Sequence, residues 1–164
     1  MRIKLWLTCV LVSALAQTAT ADEIILRVTG GLAKPATKTE VRTQFTLKDL
    51  QALPQNEIKA TTAFTGAATF KGPLLKDVLK IAGAKPDATE VLAIALDGYR
   101  VKIPIADFSK YEVVAAYEMN GKTLKPESRG PIWIMYPLDK YPKELTTPAT
   151  ETRLVWSLKE LQVD

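Results

Sequence analysis

Histidine is missing from the 164 residues of this chain, and cysteine occurs once, at Cys9. The first absence removes the side chain that titrates near neutral pH, the usual triad base and the commonest metal-binding imidazole. The second rules out an internal disulfide and leaves one thiol. There is no glycine-rich phosphate loop and no G-x-S-x-G. The carboxylates Asp97, Asp107, Glu112, Glu118, Glu127, Asp139 and Glu144 are scattered, and no two stand out as an acid–base couple. They read as turn, cap and surface charges. Lys plus Arg number 22 against 18 Asp plus Glu, a formal charge of +4. With its basic residues spaced singly, that charge is too weak to indicate a nucleic-acid partner.

What is present is the composition of one ordinary globular domain: 47% hydrophobic, 24% charged and 7% aromatic. Arg2 and Lys4 precede an apolar run from Leu5 to Val12, and small residues follow as far as Ala19-Thr20-Ala21. A basic start, a short apolar core and an A-x-A site predict a secretory signal peptide over residues 1–21. The run is too short to remain as a membrane-spanning helix. The mature chain is then Asp22–Asp164, a single domain expected in the periplasm or secreted. It would lose Cys9, and its formal charge would fall from +4 to +2 with the loss of Arg2 and Lys4. Such a chain offers neither a thiolate nor an imidazole to a metal.

Periodicity and turn chemistry predict the elements. Glu23–Val28 and Val41–Phe45 read as strands. Thr46 and Asp49 form a capping-box pattern ahead of Leu47, Leu50 and Leu53, with Pro54 as the stop. Ile58–Phe64 reads as a strand. A helix beginning at Pro73 carries Leu75, Val78, Leu79 and Ala82 on one face and closes at Gly83. Val91–Leu96, the turn Asp97-Gly98, and the alternation of Tyr99, Val101 and Ile103 predict a hairpin. Val113–Met119 is expected as one strand before the turn Asn120-Gly121, and Ile132–Tyr136 as another. Residues 137–150 read as a surface loop. The alternation of Leu154, Trp156 and Leu158 places them on a final strand. The fold class is α+β: a mixed, barrel-like sheet core with a few short helices.

From Phe45 to Pro137, several segments in order resemble the sulfite oxidase-type molybdopterin-binding domain. They are Phe45–Leu50 with Leu53-Pro54, then Phe70–Leu79 through Gly83, matching that family's "W-x-G-x-x-L-x-D-L-L…AG" stretch. Asp97-Gly98-Tyr99 with Ile103-Pro104 resembles its "DGY…IP" hairpin. Ala116–Gly121 with Leu124 and Gly130-Pro131 resembles its "AYEMNG…L…G-x-P" block.

The resemblance also shows where this chain departs. Catalytic relatives bind molybdenum through a Cys in the strand before the "W-x-G" helix. Here Thr62 falls at or next to that position. A hydroxyl is a hard, weak ligand and does not replace a soft thiolate. The Arg-rich segment after that Cys is replaced by Thr65-Gly66-Ala67-Ala68, and the "P-x-R" pattern by Pro131-Ile132-Trp133. The resemblance implies that the ligand strand, the hairpin and the G-x-P segment converge. The candidate cleft is therefore Thr61, Thr62, Phe64, Tyr99, Arg100, Arg129 and Trp133, without an assigned catalytic or metal-binding residue. With its aromatic wall, phenol and arginines it suits a flat or weakly acidic organic ligand. In the other reading Trp133 fills the space left by a lost cofactor, and Tyr99 packs on the sheet.

Three functions follow as expectations. The first is an exported, non-catalytic module that binds a small molecule or a periplasmic protein partner, without cofactor. The second is a molybdopterin-dependent oxidoreductase with an unusual ligand set, its pterin held by Lys59, Lys71, Arg100, Lys102 and Arg129. The third is a structural envelope protein with an apolar patch of Trp133, Tyr136, Tyr141 and Trp156.

Overall fold

The computed structural model describes residues 22–33 and 42–164; the expected export segment 1–21, and Val41 of the expected second strand, lie outside them. In chain order the elements are β1 (Ile24–Gly30), β2 (Gln44–Thr46), α1 (Leu47–Gln51), β3 (Gln55–Thr62), β4 (Gly66–Pro73) and α2 (Leu75–Ile81). These are followed by β5 (Glu90–Ala95), β6 (Arg100–Pro104), α3 (Ile105–Lys110), β7 (Val114–Ala116), β8 (Glu118–Met119) and β9 (Lys122–Thr123). The chain then forms β10 (Trp133–Met135), α4 (Pro142–Leu145), α5 (Pro148–Arg153) and β11 (Leu158–Val163). Among the described residues no helix is long and apolar enough to cross a membrane.

Three sheets share one core. The largest has the order β2-β1-β11-β5-β6, with β1 and β11 parallel and the other pairs antiparallel. The second runs β3-β4-β8-β9 and the third pairs β10 with β7, all antiparallel. The α+β class with mixed sheets and short helices is the architecture observed.

Local chemistry explains the ends of several elements. Thr46 Oγ1 accepts from the Asp49 N–H at 3.1 Å, and the Thr46 N–H donates to Asp49 Oδ2 at 2.8 Å, so the capping box starts α1. Asp97-Gly98 turns β5 into β6, with Gly98 at φ +90°, where a side chain is strained. The apolar face of α2 buries Leu75, Val78 and Leu79 in the common core, which also holds Phe45 and Phe70.

Four elements differ from the sequence-based expectation. Gly66–Pro73 is a full strand, paired residue for residue with β3 from Thr62↔Gly66 to Gln55↔Pro73, so Pro73 ends a strand and Leu75 begins the helix. A Cβ on Gly72 would lie 2.0 Å from the Ala115 carbonyl oxygen; the glycine is there to let β4 approach β7. Val113–Met119 divides at Tyr117 into β7 and β8, which belong to different sheets. Residues 137–150 hold α4 and the start of α5, each with Pro in its first turn. Leu154 caps α5 and Trp156 lies outside any strand, so β11 begins only at Leu158.

Candidate functional site

A cleft of about 200 Å³ opens between the β3–β4 turn, the β5–β6 turn and the end of α5. Its walls are Phe64, Ala95, Asp97, Tyr99, Glu151, Thr152, Leu154, Val155 and Trp156. Phe64 and Tyr99 are 47% and 44% exposed, two of the few large hydrophobic side chains open to solvent among the described residues.

Each wall is fixed by its own chain segment. Phe64 leaves β3 through a turn organised by Thr62, whose hydroxyl accepts from the Phe64 N–H at 3.2 Å and the Thr65 N–H at 3.1 Å. Phe64 meets the Trp156 ring edge-on, with centroids 5.2 Å apart. The Tyr99 hydroxyl donates to the Thr152 carbonyl at 2.9 Å, and its N–H donates to Asp97 Oδ1 at 2.9 Å. Trp156 is held by its neighbour: Ser157, at φ +50°, donates its N–H to the carbonyl of Arg129, itself at φ +70°. Two non-glycine residues in the left-handed region cost about 1 kcal/mol each, so the surrounding packing enforces this corner.

The helix α5 is anchored from behind. Arg153 Nη1 donates to Asp107 Oδ2 at 2.8 Å, and the Tyr136 hydroxyl donates to the same oxygen at 2.9 Å. Burial, reinforced by the Asp107 carboxylate, pushes the Tyr136 hydroxyl well above the ordinary phenol range, so it stays protonated as a donor.

Of the seven residues predicted from the sequence, only Phe64 and Tyr99 line the cleft. Trp133 is fully buried, its indole N–H donating to the Leu154 carbonyl at 3.1 Å and its ring edge-on to Phe70 and Trp156. It fills the core behind the cleft, and Trp156 takes the wall. Thr62 is buried in its turn, with Thr65 Oγ1 2.9 Å from its hydroxyl. Thr61 points elsewhere: its N–H donates to Asp139 Oδ1 at 2.8 Å. Arg100 is exposed on β6 and does not line the cleft. Arg129 lies over the rings of Phe64, Trp133 and Trp156 at 5.8, 5.5 and 6.0 Å, also outside the lining. The expected patch of Trp133, Tyr136, Tyr141 and Trp156 does not form at the surface, because the first two are fully buried and the others half-buried.

Reasoning from the sequence missed Trp156, Glu151, Thr152, Leu154 and Val155. Alternation had placed Trp156 on a strand, and nothing in the local pattern marks Glu151. Asp97 was legible only as a turn former, which it also is.

The sequence matches the oxidoreductase molybdopterin-binding domain over residues 15–139. The chain belongs to that family. In structure it is similar to the sulfane dehydrogenase SoxCD from Paracoccus pantotrophus, with a TM-score of 0.62 and 16% identity over 84% of this chain. It spans 37% of the length of that SoxCD chain. No curated protein sequence matches it.

The residues present do not fit the family's metal–pterin group. The Thr62 hydroxyl, at or next to the position of the relatives' Cys, is already engaged by the turn. The charged side chains lining the cleft are Asp97 and Glu151, with Arg129 over Phe64 and Trp156 from outside it, so the lining itself offers no cation to a pterin phosphate. The five basic residues expected to hold a pterin are spread over several elements, and none lines the cleft. Lys59 and Lys71 are on the β3–β4 sheet, Arg100 and Lys102 on β6, and Arg129 on the aromatic corner. Lys102 is paired with Glu90 at 3.0 Å.

Proposed function

We propose that this chain is a member of the molybdopterin-binding family that works without molybdenum, as an exported, non-catalytic binding module. It holds a small molecule, or a protein partner, in a sensory or accessory role in the periplasm. The observation that carries this reading is Thr62. At or beside the position where relatives place a thiolate, its hydroxyl accepts two backbone N–H groups and meets a second hydroxyl. A side chain so engaged has no lone pair directed at a metal, and the fully buried Trp133 stands where the family has an anion-binding Arg. The aromatic cleft beside them supports a binding role.

Elemental analysis after expression in a molybdopterin-competent host tests the proposal. The expected outcome is no stoichiometric molybdenum and no extractable pterin. Near one molybdenum per chain would establish the competing reading, a molybdopterin-dependent oxidoreductase lacking the Cys, which family membership alone favours. Export rests on the basic–apolar–A-x-A order of residues 1–21. N-terminal sequencing of periplasmic material is expected to begin at Asp22, and an intact Met1 on cytosolic protein contradicts it.

A further inference from the structure

We propose that the cleft takes a small organic cation, an ammonium ion carrying apolar substituents; this rests on the reading of the chain as a binding module. The sequence alone suggested a weakly acidic ligand, because Arg100 and Arg129 were expected inside the cleft. Neither lines it, and the charged side chains that do are Asp97 and Glu151. With Arg129 over Phe64 and Trp156 from outside the lining, two carboxylates stand against one guanidinium, and the balance at the cleft is negative.

Three features converge. First, Phe64, Tyr99 and Trp156 present aromatic surface to the cavity from three chain segments, and aromatic faces attract ammonium groups through the ring quadrupole. Arg129 lies over Phe64 and Trp156 at 5.8 and 6.0 Å from outside the lining, so a bound ammonium meets the ring surface that Arg129 leaves uncovered. Second, Asp97 and Glu151 are in no ion pair among the described residues. Asp97 Oδ1 holds the turn, and among the described residues Oδ2 has no hydrogen-bond partner. Arg153, the cation nearest in sequence to Glu151, is committed to Asp107. Third, about 200 Å³ is below the roughly 300–1,000 Å³ of sites for drug-sized molecules, so the ligand is small. The Tyr99 hydroxyl is tied to Thr152, which leaves its ring, and not its oxygen, as the recognition surface.

The test uses the purified chain with choline as probe and 3,3-dimethyl-1-butanol as its uncharged isostere. Calorimetry gives affinity, and the indole N–H signals of Trp156 and Trp133 in NMR give location. Choline is expected to saturate and to move the Trp156 signal more than that of Trp133. The isostere is expected to bind about tenfold more weakly. Glu151→Gln and Asp97→Asn, both at exposed positions, should each weaken choline about threefold while leaving the melting temperature unchanged. Absence of saturable choline binding, equal affinity for the isostere, or no effect of either substitution overturns the proposal. Saturation by benzoate in place of choline overturns the cation assignment and leaves the binding-module reading standing. Stoichiometric molybdenum overturns that reading while the choline result is still read independently.

Discussion

Trp133 and Trp156 stand 6.1 Å apart with rings at right angles, and they divide the labour of one region. The first is core and the second is wall. Trp133→Ala should therefore cost about 3–5 kcal/mol in denaturant unfolding, the range for truncating a buried large side chain. Tyr99→Phe removes one exposed hydrogen bond to Thr152 and should cost no more than about 1 kcal/mol. Similar losses for the two would contradict the assignment of one to the core and the other to the cleft. At this scale the sequence was partly legible. The resemblance picked out Phe64 and Tyr99, and the replacement of Arg by Trp pointed to Trp133. It left open which way the indole would face, because that depends on Phe70 and Leu154, remote in sequence. Glu151 was invisible for the same reason: it reaches the cleft only because Pro148–Arg153 is helical and α5 is anchored on α3.

At the scale of elements, signals carried by adjacent residues were legible. The Thr46–Asp49 box, the Asp97-Gly98 turn and the face of α2 all form as their local chemistry dictates. Elements defined by a partner were not. Strand β4, Gly-Ala-Ala-Thr-Phe-Lys-Gly-Pro, has weak strand propensity and exists by pairing with β3. Two predictions belong here. Hydrogen bonds from the Thr46 N–H and hydroxyl, aided by the Arg42 guanidinium, hold the Asp49 carboxyl below the usual range. A depressed folded pKa gives stability that is complete above the unfolded value, near pH 4, and is lost as pH falls through the folded value. Asp49→Ala should thus lower stability by about 1 kcal/mol at neutral pH. Its gap from wild type should close as pH falls below about 4, by thermal melts across pH; a gap independent of pH would contradict this origin. The second concerns the anchor of α5. Asp107→Ala leaves the buried Tyr136 hydroxyl and Arg153 without their shared acceptor, at about 1–3 kcal/mol. Hydrogen exchange should accelerate over residues 148–155 ahead of the β1–β11 sheet; uniform acceleration would mean the anchor serves the whole fold and not the cleft wall.

For the whole molecule, the family's fold is retained, and the proposal of a module without molybdenum rests on what Thr62, Trp133 and the cleft carboxylates do within it. The changes are mutually consistent: Thr62 turns the chain, Trp133 packs the interior, and carboxylates face the remaining cleft. Interiors close-pack, so on the proposed reading no open space waits for a large cofactor. Restoring one ligand should therefore not restore the site. The measurement that tests this most directly is the molybdenum content of the wild-type chain and of Thr62→Cys, each purified from a molybdopterin-competent host beside a metal-loaded relative. No stoichiometric metal is expected in either protein, with both folded. About one molybdenum per wild-type chain, or its appearance once the Cys is present, would contradict it.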